Sequence, residues 1–166
     1  MRPTPIPPQA GQESVWDYPR PPRLEPVEKR IQIISGGTIL CDTTSALRVL
    51  ETSHPPSYYL PQEDIRMELL IPGGGSSLCE WKGGARYYAL KAGGAEVAWY
   101  YPNPTPGFTA IKNHLAFYAG RIVLQDGDGC FVDGARVTPQ PGGFYGGWIT
   151  PEIVGPFKGG EGSMGW

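Results

Sequence analysis

Hydrophobic positions in this chain come in short bursts, most of them alternating with polar residues and each closed by Gly or Pro. A period of two marks strands with one buried face, and Gly or Pro at the breaks marks turns. Residues 29–34 and 38–42 are Ile-rich runs around Ser35-Gly36-Gly37. They predict a hairpin whose tight turn uses positive-φ glycines. Residues 86–90 and 97–101 are expected to pair through Gly93-Gly94, residues 115–118 and 121–124 through Ala119-Gly120, and residues 130–137 to fold on Asp133-Gly134. Residues 65–70 alternate as a further strand with Ile65, Met67 and Leu69 inward. Residues 46–50 fit either a strand or a short helical turn capped by Thr44 or Ser45. Gly73-Gly74-Gly75-Ser76-Ser77 reads as a pliable loop.

The ends differ in character. Residues 1–12 form a Pro-rich tail, extended and mobile. Residues 13–27 read as an aromatic strap across the domain, with Trp16 and Tyr18 on one face of an extended chain. Residues 28–138 carry the predicted strands as one core domain. Residues 139–166 hold Phe144, Tyr145, Trp148 and Phe157 between glycines and prolines, which predicts an irregular lap of chain pinned to the core by its aromatics. Trp81-Lys82-Gly83-Gly84 is echoed by Phe157-Lys158-Gly159-Gly160, a match that chance produces readily in a Gly-rich chain.

Composition sharpens this picture. The 166 residues suit a single domain with a real core. With 24 Gly and 19 Pro the chain approaches a disordered composition, but 5 Trp, 9 Tyr and 5 Phe carry too much apolar surface to stay in water. A turn-rich, mainly β protein reconciles the two. The net charge of −2 and the absence of a Lys/Arg cluster argue against a nucleic-acid partner. Three scattered Cys and two His, with no CxxC or HxxxH spacing, imply neither a disulfide framework nor a metal site, and no cofactor is expected. That pattern fits a reducing cytoplasm. No apolar run approaches the roughly 20 residues of a membrane helix, and the N-terminus lacks a signal-like apolar region.

The densest chemistry is Cys79-Glu80-Trp81-Lys82-Gly83, at a junction between the Gly-rich segment and an aromatic strand. Lys82 beside Trp81 suits a cation–π contact or an anionic ligand, and Gly83 lets a ligand approach the backbone. Cys79 is a candidate nucleophile if Lys82 favours its thiolate; Glu80 opposes that, and a packed, unreactive thiol is the simpler role. Asp64 and Arg66 alternate on one strand face, as a ligand-orienting couple or, more simply, an ion pair. His54 is a candidate base or pocket lining. Trp99 and Tyr101 share a face of their strand. The Gly-rich segment matches no phosphate-loop pattern.

Several of these motifs, in order, resemble a known family. They are Ala46-Leu47-Arg48-Val49-Leu50-Glu51, Pro56-Ser57-Tyr58-Tyr59-Leu60-Pro61, Asp64-Ile65-Arg66-Met67, residues 79–87, Trp99-Tyr100-Tyr101-Pro102 and Ala116-Phe117-Tyr118. Over residues 28–124 the chain resembles the bacterial domain-of-unknown-function family number 427, also catalogued as nucleotidyltransferase-like. The resemblance implies a β-tent-like fold of antiparallel sheets, and recurrent positions at Tyr59, Asp64, Arg66, Cys79, Lys82, Gly83, Tyr87 and Trp99. The paired metal-binding acids of nucleotidyltransferases are not recognisable. The leading expectation is a small-ligand binding module. Tyr59, Trp81, Tyr87 and Trp99 would be its walls, Arg66 and Lys82 its anion-holding cations, and Asp64 would orient Arg66. The alternatives are an enzyme with Cys79 as nucleophile or redox centre, a nucleotidyltransferase as the label suggests, and a structural homodimer that exchanges its straps.

Overall fold

The computed structural model describes residues 2–79 and 81–166. In chain order, the N-terminal segment supplies β1 (Glu13–Ser14) and β2 (Arg23–Pro26). Then come β3 (Ile31–Ser35), β4 (Thr38–Thr43), β5 (Leu47–Leu50) and β6 (Ser57–Tyr59). The long β7 (Leu70–Cys79) turns into β8 (Gly83–Leu90), followed by β9 (Glu96–Tyr100), β10 (Ala116–Phe117), β11 (Gly129–Val132) and β12 (Ala135–Arg136). The C-terminal segment adds β13 (Thr138–Pro139), β14 (Trp148–Ile149) and β15 (Ile153–Val154). The protein is mainly β. Two four-stranded antiparallel sheets, ordered β10-β9-β8-β7 and β12-β11-β3-β4, accompany a three-stranded sheet, β2-β5-β6, and two short pairings, β1-β15 and β13-β14. Among the described residues, helix is confined to 3-10 turns such as Pro106–Ile111.

Three hairpins follow from their turn residues. Gly36 and Gly37 both have positive φ between β3 and β4, as do Asp133 and Gly134 between β11 and β12, the backbone that matches right-handed strand twist. Gly93 and Gly94 turn β8 into β9. The main core buries Ile31, Ile33, Leu40, Leu60, Leu115, Phe117 and Trp148. The Trp148 ring stacks on Tyr58 at 4.9 Å and its indole N–H donates to the Phe117 carbonyl at 2.8 Å. A separate cluster joins Val15, Trp16 and Tyr18 to Leu50 and Ile153. The two ends of the chain therefore meet: β1 runs parallel to β15, and the Trp16 indole donates to the Pro156 carbonyl at 2.9 Å.

The structure departs from the sequence expectations in four places and decides the one left open, residues 46–50. Residues 73–77 are not a loop but part of β7, where a register irregularity between Pro72 and Ser76 absorbs the glycines. Residues 65–70 are not a strand. Ile65 makes one bridge to Cys41, and the chain then closes a 3-10 turn, Met67–Leu69, that leaves Met67 and Leu69 half-buried. Residues 121–124 do not pair with 115–118; β10 pairs instead with β9, because the Asp128 carboxylate recruits the backbone of Leu124. Residues 46–50 resolve as strand, since β5 is held on both sides by β2 and β6. Residues 15–17 are a 3-10 turn capped by Ser14 rather than extended chain.

Asp128 is the polar tie of this scaffold. Fully buried, it accepts hydrogen bonds from four backbone amides: Gly36 at 2.7 Å, Gly37 at 3.0 Å, Leu124 at 2.8 Å and Gln125 at 3.1 Å. Burial alone raises a carboxyl's pKa, but the four donors outweigh it and hold Asp128 below its ordinary value. Removing the acceptor strands all four donors. Asp128→Ala is expected to lower unfolding free energy by about 2–4 kcal/mol, read as a shift in urea midpoint at unchanged m-value.

Candidate functional site

A cavity of about 740 Å³ opens between the β7–β8 hairpin tip, the β8–β9 face and the C-terminal segment. Its aromatic wall follows from strand register. Tyr87 on β8 faces Trp99 on β9, and both side chains point to the same side as Tyr101. Tyr59 packs edge-on against Trp99 at 6.2 Å, and its hydroxyl accepts the Trp99 indole N–H at 3.2 Å. Tyr118 covers Trp99 at 4.7 Å. The Arg121 guanidinium stacks on Tyr118 at 3.9 Å.

Lys82 is the decisive side chain. Only 8% exposed, it lines the cavity from the hairpin tip. Two bonds fix the tip: the Trp81 carbonyl accepts the Thr105 hydroxyl at 2.5 Å, and the Lys82 carbonyl accepts the Thr105 amide at 3.1 Å. The Lys82 ammonium lies 5.9 Å from the Tyr101 ring centroid. Burial acts to lower its pKa, but Tyr59, Cys79 and Glu51 more than offset this, so its pKa is raised and it carries its proton at neutral pH. Among the described residues it enters no salt bridge.

The sequence-derived site residues part company here. Tyr59, Cys79, Trp81, Lys82, Tyr87 and Trp99 all line this cavity. Asp64 and Arg66 do not. Asp64 accepts the Thr43 hydroxyl at 2.7 Å, while Arg66 is exposed and pairs with Glu68 at 3.5 Å. They form neither an ion pair with each other nor a ligand couple with Lys82, because the 3-10 turns around them remove the alternation that would have aligned them. Gly83 shapes the hairpin and does not line the cavity. Its φ is +104°, and a Cβ there would press on the Asn103 carbonyl at 3.2 Å. The opposing effect assigned to Glu80 falls outside the described residues. Among the described residues no group of three or more His, Cys, Asp or Glu side chains is placed to hold a metal ion.

The C-terminal segment contributes what sequence reasoning did not foresee. Gln140, Tyr145, Gly146 and Lys158 line the same cavity as Lys82. A Cβ at Gly146 would collide with the Trp99 indole, so only glycine lets this flap lie on the wall. The Lys158 ammonium sits 5.7 Å from the Tyr145 ring centroid and donates at 3.3 Å to the Trp166 main-chain oxygen, which Arg20 also donates to at 3.1 Å. The faint echo between Trp81-Lys82-Gly83-Gly84 and Phe157-Lys158-Gly159-Gly160 was the one available signal: its two lysines reach the same cavity.

His54 lies in this same wall, edge-on to Tyr145 at 4.7 Å. Gln140 Nε2 lies 3.1 Å from its Nδ1 and donates to the Lys158 carbonyl at 2.7 Å, while Gln140 Oε1 accepts the Gly147 amide at 3.0 Å. An amide N–H facing Nδ1 makes that nitrogen the acceptor, which puts the imidazole proton on Nε2, toward Glu51 at 3.6 Å. Burial, with Lys158, Arg20 and Lys82 nearby, pushes the His54 pKa down to about 3.

A second cavity, of about 560 Å³, lies along the N-terminal strap, lined by the carboxylates of Glu13, Glu25, Glu28 and Glu152 and by the cations Lys29 and Arg48. Arg48 bonds Glu13 at 2.7 Å and Glu25 at 2.6 Å, and Lys29 bonds Glu152 at 3.1 Å. In the first cavity, by contrast, the Lys82 ammonium enters no salt bridge among the described residues.

Residues 23–132 match a family described as a domain of unknown function (DUF427). The chain belongs to the DUF427 family. No curated protein matches its sequence. The DUF427 segment supplies Lys82, Cys79 and the aromatic wall, whereas Gln140, Tyr145 and Lys158 lie beyond it. No helix among the described residues is long and apolar enough to cross a membrane.

The depressed His54 pKa has a signed consequence. The unfolded chain takes up a proton near pH 6.5 and the folded chain does not until about pH 3, so stability falls as pH drops through that window. At pH 5 the loss due to His54 is expected to be about 2 kcal/mol. His54→Gln should remove that part of the slope in urea melts between pH 7 and pH 4. An unchanged slope would show that His54 titrates normally in the folded protein.

Proposed function

We propose that this DUF427 protein is a binding module for a small anionic ligand with an aromatic body, seated in the cavity between the hairpin tip and the C-terminal segment. The observation that carries the reading is the Lys82 ammonium. It is nearly buried, positively charged, outside every salt bridge of the described residues, and turned toward an aromatic-walled space. A buried charge without a counterion costs stability, and retaining one is explained by a ligand that completes it. The wall of Trp99, Tyr87, Tyr118 and Tyr59 supplies π faces and apolar area, and the cavity volume falls in the range typical of small-molecule sites. Lys158 takes the place that sequence reasoning assigned to Arg66.

The test is a thermal-shift screen of aromatic carboxylates, sulfonates and phosphates beside their neutral analogues, repeated on Lys82→Met. Anionic compounds are expected to raise the wild-type Tm, with neutral analogues inactive. Lys82→Met should fold at least as stably as wild type within about 1 kcal/mol, since an apolar side chain of similar length replaces a buried charge. Its affinity for each hit should fall about 10- to 100-fold, the loss of one charge-assisted contact. Hits that bind the variant as well as wild type, or a screen without anionic hits, sink the reading.

A second reading rests on the Cys79 thiol, which lines the same cavity beside the Lys82 ammonium. In this reading Cys79 is the reactive group of the cavity, its thiol within reach of whatever the cavity holds. Iodoacetamide alkylation across pH separates the two. A Cys79 rate midpoint well below the ordinary value of about 8.5 supports thiol chemistry, and a midpoint at or above it leaves Cys79 as packing.

A further inference from the structure

The three cysteines of this chain stand in different surroundings. Cys41 and Cys130 lie in the main core, each 1% exposed. Burial pushes the Cys41 thiol up to about 12 and the Cys130 thiol well above its ordinary value, so both stay protonated and out of reach. Cys79 is half-buried, packs on the separate cluster that holds Tyr59 and Tyr101, and lines the cavity. We propose that Cys79 is a site of reversible oxidation by hydroperoxides, and that the resulting sulfenate is held as the counterion of the Lys82 ammonium. The modification stands on the geometry of the hairpin tip; its effect on a ligand rests on the binding reading of the same cavity.

The β7–β8 hairpin brings thiol and ammonium together. Cys79 pairs with Gly83 across the ladder, so residues 80–82 are the loop between them and Lys82 returns toward the strand that carries the thiol. Both side chains line the cavity, and Lys82 is 8% exposed. Burial acts to lower the Lys82 pKa; Tyr59 and Cys79 act to raise it, Cys79 both by charge and through a hydrogen bond to the ammonium. Tyr101 is the third member of the group. The ammonium lies 5.9 Å from its ring centroid, and burial, Tyr59 and Cys79 keep its hydroxyl protonated. A thiol sulfur is a weak acceptor for such donors. An oxygen anion on the same sulfur accepts from both, and its bond to the ammonium is charge-assisted.

In the oxidation the Cys79 sulfur attacks one oxygen of hydrogen peroxide. An S–O bond forms as the O–O bond breaks, the sulfur gives up two electrons, and the departing hydroxide takes the thiol proton and leaves as water. The sulfenic acid then releases its proton to solvent, a loss that the neighbouring ammonium favours. A second thiol in reach would consume it as a disulfide. Cys41 and Cys130 are packed in the other cluster and do not line this cavity. Reversal therefore falls to an external thiol. It condenses with the sulfenic acid to a mixed disulfide, with loss of water, and a second thiol displaces the Cys79 thiolate. While oxidised, the sulfur occupies the ammonium that an anionic ligand needs, so oxidation and anion binding exclude each other.

The test treats the full chain with hydrogen peroxide, traps sulfenic acid with dimedone and maps the adduct by peptide mass spectrometry. Dimedone is expected on Cys79 and on neither Cys41 nor Cys130, a result that needs no variant. The rate constant for Cys79 oxidation should fall about tenfold in Lys82→Met and be largely kept in Lys82→Arg. Calorimetry with 1-naphthoate reads the consequence. Peroxide should lower wild-type affinity about tenfold or more, dithiothreitol should restore it, and Cys79→Ser should not respond to peroxide. Wild type without an adduct on Cys79, or a rate constant unchanged in Lys82→Met, overturns the proposal. Oxidised wild type that binds naphthoate as tightly as the reduced protein overturns the counterion role. If reduced wild type does not bind naphthoate, the binding reading loses support, while the labelling still decides the modification.

Discussion

An ammonium taken out of water loses several kcal/mol of hydration unless its surroundings replace it. Much of the architecture around the β7–β8 hairpin can be read as the replacement made for Lys82. The Thr105 clamp on the Trp81 and Lys82 carbonyls aims the side chain inward. Gly83 gives the tight return that lets β8 begin immediately. The surroundings raise the Lys82 pKa in spite of its burial, and Tyr101 offers its ring face. Tyr59 in turn is fixed by the Trp99 indole, so the support for the charge and the wall of the cavity are one hydrogen-bonded unit.

The second half of the cavity depends on a neutral amide. Gln140 joins three things that have no other reason to coincide: the β13–β14 return, where its Oε1 takes the Gly147 amide; the Lys158 carbonyl; and His54 Nδ1. That one side chain sets the height of the Gly146 flap over Trp99, the position of Lys158 and the tautomer of His54. The flap has no slack, because a methyl group at Gly146 would occupy the space of the indole. A strained substitution on the flap and a lost bond at Gln140 would therefore act on the same surface, the face of Trp99.

The parts of this fold legible from sequence are those governed by local chemistry. Gly36-Gly37 and Asp133-Gly134 dictate their turns whatever surrounds them, and the alternation at Trp99 and Tyr101 put those two rings on one face. What failed was decided at a distance. Residues 121–124 have the composition of a strand, but the Asp128 carboxylate takes the Leu124 and Gln125 amides that pairing would have used. Residues 73–77 look like a loop by glycine content, yet β8 pairs with Pro72 before them and with Ser76 and Ser77 at their end, so the glycines are carried inside the strand as an irregularity. Asp64 and Arg66 were aligned by an alternation that two 3-10 turns abolish. Lys158 was beyond reach for the same reason: nothing local says that a lysine 76 positions after Lys82 returns to it, except the weak echo of the flanking residues.

The division of the cavity between the DUF427 segment and the C-terminal segment has a physical consequence. The matched segment presents a continuous aromatic face with one buried ammonium at its edge. Left open, that face would expose Trp99, Tyr87 and Tyr118 together, a patch of the kind soluble proteins cover or use. The C-terminal segment covers it incompletely. It lays glycine, the smallest possible contact, over Trp99, while placing Tyr145 and Lys158 at the margin. A segment selected only to bury the patch would fill it with side chains. One that spans the patch on glycines and brings a cation to its rim leaves a walled space, and that is the property of the extension that packing alone does not explain.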